Sequence, residues 1–228
     1  MPDRIQIKEE AKQVLRGARV NPYLVSLIVV GVLGLLGGLD SYVGASQTVD
    51  QMAGYDPDLA AMLPSFPEFP VLLVAFVAAV NWLAQAILSA GWSIYHLGVR
   101  RGKEMPFSCL LDGFGFLGKL ILLNIVMSIF VFLWSLLFYI PGLIAQYRYR
   151  FAVYNLCENP DIGIMEAISM SKAQTAGFKW TLFVLDLSFI GWILLSGLTL
   201  GILDIWLAPY REQANVGYFQ EIKRCLLY

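Results

Sequence analysis

Residues 118–157 read GKLILLNIVMSIFVFLWSLLFYIPGLIAQYRYRFAVYNLC, and the fold depends on whether this stretch crosses a membrane once or doubles back. Leu120 to Tyr147 carries no charge. A helix needs only about 20 apolar residues to traverse ~30 Å of hydrocarbon. Near the middle stands Ile140-Pro141-Gly142. Proline removes a helical hydrogen-bond donor and clashes with the preceding turn, and glycine permits a sharp reversal. A chain that turns here gives two crossings, 118–140 and 142–157.

Positive charge decides between the alternatives, because Lys and Arg in short loops stay on the cytoplasmic side. Arg4, Lys8, Lys12, Arg16 and Arg19 precede the first apolar run, whereas residues 40–69 hold Asp40, Asp50, Asp56, Asp58 and Glu68 and no base. Arg100, Arg101, Lys103 and Lys119 follow the second run; Lys172 and Lys179 come later, and Arg211, Lys223 and Arg224 end the chain. One crossing over 118–157 would place the last two groups outside. Two crossings keep every base inside except Arg148 and Arg150. The pattern predicts an all-α, polytopic transmembrane helical bundle with about six spans (23–39, 70–97, 118–140, 142–157, 180–196 and 198–218), forming a single membrane domain over 1–228. A reversal at Gly197 and Gly201 separates the last two spans. Both termini are expected in the cytoplasm, at a bacterial plasma membrane.

Composition agrees. The chain is 58% hydrophobic and 14% charged, against about 45–50% and 25% in soluble domains. The apolar runs lack the polar stripe of a soluble core helix. Twenty or so polar residues precede the first run, unlike a cleavable signal peptide. The acidic segment 40–69 lacks the regular spacing of a calcium loop and reads as a solvated loop interrupted by Pro57, Pro64, Pro67 and Pro70. Residues 3–19 set Ile7, Ala11, Val14, Leu15 and Ala18 against Lys8, Lys12, Arg16 and Arg19, the pattern of an amphipathic helix in the headgroup region. A short cytoplasmic helix is expected near 162–177, with Asp161 to cap it and Gly177 to end it.

The residues that carry potential chemistry are the charges within the apolar runs. A charge at mid-bilayer costs roughly 2.5–3.5 kcal/mol on insertion scales and normally faces a partner or water. Arg148 and Arg150 fall in the fourth span, Asp186 in the fifth and Asp204 in the sixth, making a candidate intramembrane polar network. Two positions apart on a helix, the arginines point about 200° from each other, so both cannot face one partner. Asn81, Gln85, Asn124 and Gln146 are candidates to extend the network. The network reads either as structural ion pairs or as a polar cavity for a lipid headgroup, ion or peptide.

His96, the single histidine, makes no metal site alone and is expected to hydrogen-bond at the interface. Three scattered cysteines, Cys109, Cys157 and Cys225, form neither a disulfide framework nor a metal site. Tyr23, Trp92, Tyr95, Trp180, Trp206 and Tyr210 stand near span ends, as an aromatic belt requires. No nucleotide-binding loop, nucleophile elbow or zinc-protease signature occurs. We therefore expect no enzyme activity and no cofactor. The expected partners are the lipid bilayer with a membrane protein or a lipid ligand, and no nucleic acid.

The second half of the chain contains Ile140-Pro-Gly-Leu-Ile144, Glu158-Asn-Pro160, Glu166-Ala-Ile168, Ser171 and Gly177-Phe-Lys-Trp180 in order. Leu187-Ser-Phe-Ile-Gly-Trp192, Leu198-Thr-Leu-Gly-Ile202, Trp206 and Pro209-Tyr210 follow. This order resembles the bacterial membrane family catalogued as domain of unknown function 975, and Ala11, Leu15 and Gly17 resemble its lead-in. The resemblance implies a multi-span bacterial membrane protein with no established activity. A more distant similarity links it to membrane domains attached to some glycerophosphodiester phosphodiesterases, whose hydrolase part is absent here. Asp204 departs from the small or apolar residue expected at its position. Two readings follow: an accessory component of the cell envelope or an export system, or a transporter or lipid- or peptide-binding protein built on the polar cavity.

Overall fold

In the computed structural model, which describes residues 4–18, 20–64 and 66–227, the chain is helical, with no strand among the described residues. Along the chain run α1 (Arg4–Gly17), α2 (Pro22–Tyr55), α3 (Pro57–Ala61) and α4 (Val71–Arg100), then a 3-10 segment (Phe107–Phe116). Next come α5 (Leu117–Leu137), α6 (Tyr139–Tyr149), α7 (Ala152–Glu158) and α8 (Ile164–Thr175). The last three are α9 (Lys179–Leu187), α10 (Ile190–Leu198) and α11 (Asp204–Leu227). The chain gathers into two compact units, 29–85 and the remainder (1–28 with 86–228).

Four segments are long and apolar enough to cross a membrane: Pro22–Ala45, Val71–Arg100, Phe107–Leu136 and Lys179–Leu198. Neither 142–157 nor 198–218 is among them. The expected fourth span is divided between α6 and α7 and carries both arginines. The expected sixth is replaced by a turn over 199–203 and the charged helix α11.

Local chemistry sets the helix ends. Asn21 Oδ1 accepts the Tyr23 N–H (2.9 Å) ahead of Pro22, and Asp56 Oδ1 accepts the Leu59 N–H (3.0 Å) ahead of Pro57. Both pair an N-cap with a proline whose missing donor costs nothing in the first turn. α2 continues to Tyr55, so Asp40 and Asp50 ride on a helix and not on a solvated loop. Within 29–85, Asn81 donates to Asp40 (3.2 Å) and Gln85 donates to Asn81 (3.2 Å).

The reversal after α5 occurs at Phe138, whose backbone is extended (φ −163°, ψ 155°), three residues before Pro141. Pro141 is then tolerated inside the first turn of α6. Gly142 is needed for contact, since a Cβ there would lie 2.1 Å from Ser135 Oγ. The other reversal follows Gly197 and uses Leu200 and Gly201 at φ 52° and 83°. α8 is entered through Gly163, whose N–H is accepted by Glu166 (3.4 Å), and not through Asp161 as expected. Gly177 leaves it at φ 82°, the left-handed conformation that favours glycine.

α1 is the predicted amphipathic helix; Asp3 and Arg19 lie outside the described residues. Ile7, Ala11 and Leu15 are buried, and α1 packs against α11. The core around α11 gathers Leu97, Phe151, Leu182, Leu185, Phe189 and Phe219. A second cluster joins Leu123 of α5 to Ala145, Ala152, Leu156 and Ile168. α6–α7 and α11 run parallel in a constant register. Arg150 meets Asn215 and Glu158 meets Lys223, both 65 residues apart, and the rings of Tyr154 and Phe219 meet at 5.4 Å in that register. The two helices open at Tyr139 and Asp204, each eleven residues before the Arg150–Asn215 contact.

Candidate functional site

Arg150 stands at the end of α6, where α9 and α11 converge. Its Nη1 donates to Asp186 Oδ2 (2.5 Å) and its Nη2 to Asp186 Oδ1 (2.8 Å). This two-pronged geometry is the strongest form of charge-assisted hydrogen bond. Nη2 also donates to Asn215 Oδ1 (2.9 Å), and the Tyr147 hydroxyl donates to Asp186 Oδ2 (3.0 Å). The pair is largely enclosed, with side-chain exposures of 19% for Arg150 and 33% for Asp186. Beside it, Glu212 of α11 accepts from Tyr154 (2.8 Å) and Ser93 (3.3 Å).

Of the four sequence candidates, the structure therefore brings together Arg150 and Asp186. Arg148 points elsewhere, as the helical angle requires. Its side chain lines a recess with Trp134, Pro141, Ile144 and Ala145, and its carbonyl accepts from Ser171 (3.0 Å) and Thr175 (3.3 Å) of α8. Asp204 does not sit inside an apolar helix; it opens α11, away from the Arg150 pair. Asn124 donates to the Leu120 carbonyl (2.9 Å) of its own helix. Gln146 lines a groove with Ser128, Ser135, Tyr149 and Arg150.

Sequence reasoning missed Tyr147, Tyr154, Glu212 and Asn215. Glu212 fell within the expected 198–218 span, and the rule that singled out Asp204 would have flagged it. Asn215 lies one turn further along the same face. His96 differs from its expectation. It is fully buried between the rings of Trp92 (4.4 Å) and Tyr95 (5.1 Å), and neither ring nitrogen is hydrogen-bonded. Its carbonyl accepts from Gln213 (3.0 Å).

A second feature lies where α1 crosses α11. A recess of about 470 Å³ is lined by Lys8, Glu9 and Lys12 on its polar side and by Trp192, Trp206 and Tyr210 on its aromatic side. Lys8 Nζ donates to Ser188 Oγ (2.9 Å) and lies 4.1 Å from the centre of the Phe189 ring. Burial, then the nearby charges of Arg4 and Lys12, hold Lys8 below the usual lysine range. Two lysines face a single glutamate in the lining, so the recess suits an anionic group.

No curated protein and no solved structure matches the chain. Residues 136–225, the segment that holds Arg148, Arg150, Asp186 and Asp204, match the model of the family described as protein of unknown function, DUF975.

Proposed function

We propose that this is a multi-pass protein of the bacterial cytoplasmic membrane, with both ends in the cytoplasm. It carries out no chemistry of its own and serves as an accessory component of the cell envelope or of an export system. The carrying observation is the closure of the charged network. Arg150 is engaged by Asp186 and Asn215, and Asp186 by Arg150 and Tyr147. A catalytic or transport site needs a polar group free to meet its substrate. Here the polar groups hold α6, α9 and α11 to one another. What the protein offers outward is apolar: Leu35, Leu72 and Phe76 are exposed on α2 and α4, surfaces suited to lipid and to partner helices.

Photo-crosslinkers at Leu35 and Leu72 test this in intact membranes. One recurrent membrane-protein adduct from both positions, absent with the crosslinker at Glu166, is the expected result. Adducts with lipid alone would remove the accessory role.

The α1–α11 recess favours a second reading, a lipid-binding protein. Its ligand would be a phospholipid whose anionic headgroup meets Lys8 and Lys12 while its chains lie along Trp192 and Trp206. Lipid retained through purification should fall when both lysines are changed to Glu, and unchanged retention would remove this reading.

A further inference from the structure

Both hairpins of the larger unit end in tips without a polar loop. The α5–α6 tip exposes Leu136, Phe138 and Ile140, and the α10–α11 tip exposes Leu198 at 82%, Leu200 at 93% and Ile202 at 60%. The constant register between α6–α7 and α11 places the two tips at one level. Water would solvate such a turn poorly, yet the 199–203 turn does not depend on water. The N–H groups of Thr199, Leu200, Gly201 and Ile202 are all accepted by carbonyls between Leu195 and Thr199. Leu203 donates to Thr199 Oγ1 (3.3 Å), and Asp204 to Leu207 donate to carbonyls between Gly201 and Leu203. Hydrocarbon demands such internal satisfaction, because an unpaired N–H there costs several kcal/mol.

Two polar helices mark where water or headgroups must begin. α8 lies beside α6, with Lys172 Nζ 5.8 Å from the Tyr149 ring centre. α1 crosses α11, with Lys12 Nζ 5.8 Å from the Tyr210 ring centre; Lys12 and Glu9 are exposed there at 50% and 64%. Above these marks, Tyr139–Tyr149 provides about 16 Å of helix and Asp204–Tyr210 about 10 Å, against ~30 Å of hydrocarbon.

The outgoing limbs are longer and largely exposed, and a few of their apolar residues anchor them inside the protein. Leu123 of α5 is buried with Ala152, Leu156 and Ile168, and Leu182 and Leu185 of α9 are buried in the core around α11. Lys119, near the start of α5, donates to the Pro160 carbonyl (2.6 Å), at the far end of the unit from the tips. Asp204, the charge at tip level, occupies the first turn of α11, where the positive helix end favours an acid.

We propose that the α5–α6 and α10–α11 tips are re-entrant. Both enter the hydrocarbon of the cytoplasmic leaflet and return without reaching the outer surface, so the partner of these tips is the acyl layer of a single leaflet. This rests on the membrane reading above and keeps both chain ends on one side, while Arg148 and Arg150 leave mid-bilayer for the leaflet's edge.

The test labels cysteines with a membrane-impermeant maleimide in intact cells and in inverted vesicles. Labelled peptides are identified by mass, so that Cys109, Cys157 and Cys225 stay in place. Asp56→Cys, between α2 and α4, reports the outer surface, and the exposed Cys225 reports the cytoplasmic one. Leu200→Cys and Phe138→Cys should lose labelling from both sides, label fully after detergent denaturation, and have attached spin labels relaxed by oxygen more than by a water-soluble nickel chelate. Labelling of Leu200→Cys from outside would overturn the proposal in favour of full crossings. Labelling of Leu200→Cys from the cytoplasmic side, or stronger nickel relaxation, would overturn it in favour of a tip in water. Absence of outer labelling at Asp56→Cys, with tip cysteines still protected, would instead count against the membrane reading of α2 and α4.

Discussion

The Arg150 junction and the turn at 199–203 both place polar atoms among apolar neighbours, and they satisfy them by opposite means. At the junction, side chains from α6, α9 and α11 converge on one ion pair. In the turn, backbone carbonyls within a few residues accept nearly every N–H, with Thr199 supplying the remaining acceptor. The first solution depends on three remote segments meeting. The second forms within one short stretch and needs only Gly201 and Leu200 in the left-handed region. A long-range solution concentrates its stabilisation in a few atoms, so its loss is costly. A local one spreads it along the backbone, and single changes there are mild.

Asp186→Ala should produce the largest effect, because it leaves the Arg150 guanidinium enclosed without its counter-ion. Breaking one side of a buried pair costs about 3–5 kcal/mol. Thermal unfolding in detergent should show the loss, and Arg150→Met combined with Asp186→Leu should recover most of it. If the double variant is no better than the single, the junction does not owe its stability to the ion pair.

Gly142→Val should come next. The added carbon would overlap Ser135 Oγ, and overpacking of this kind costs typically 1–3 kcal/mol. Pairing it with Ser135→Gly should relieve the clash, as read by the same melting shift. Thr199→Val should be milder, at about 1 kcal/mol, since it removes one acceptor from a turn otherwise held by carbonyls. A cost comparable to Asp186→Ala would break the contrast between the two regions. Lys12→Ala should be smallest. Its pairing with Glu9 is exposed at 3.6 Å, and exposed pairs are worth about 0–1 kcal/mol.

Several features were legible from residue order because their causes are local. The helix of 3–19 appears as α1, and its apolar positions Ile7, Ala11 and Leu15 are the buried ones. Gly177 ends α8 as glycine should. Of the possible Arg–Asp pairs the sequence named, Arg150 with Asp186 is the one that forms, and helical geometry already barred Arg148 and Arg150 from sharing a partner. The reversal near Pro141-Gly142 was foreseen, yet it falls at Phe138. Proline is compatible with the first turn of a helix as well as with its end, so its presence does not position the break.

Other features had no local cause to read. Asn215 joins Arg150 only because α11 and α6–α7 run parallel in register, and no spacing within either helix encodes that. Asp204 carries the same charge as Asp186, but one opens α11 and the other meets Arg150. Apolar runs in the sequence determined that this chain is helical and rich in membrane-length segments, of which the structure has four long and apolar enough to cross where about six were expected. The tertiary structure alone decided how each run divides between protein core and exposed surface, as with Leu123 and Leu136 of α5, one buried and the other 73% exposed. The physical reason is that water exclusion rewards an apolar side chain equally against protein or lipid. Hydropathy therefore records the need for cover and leaves the covering to the packing of distant segments.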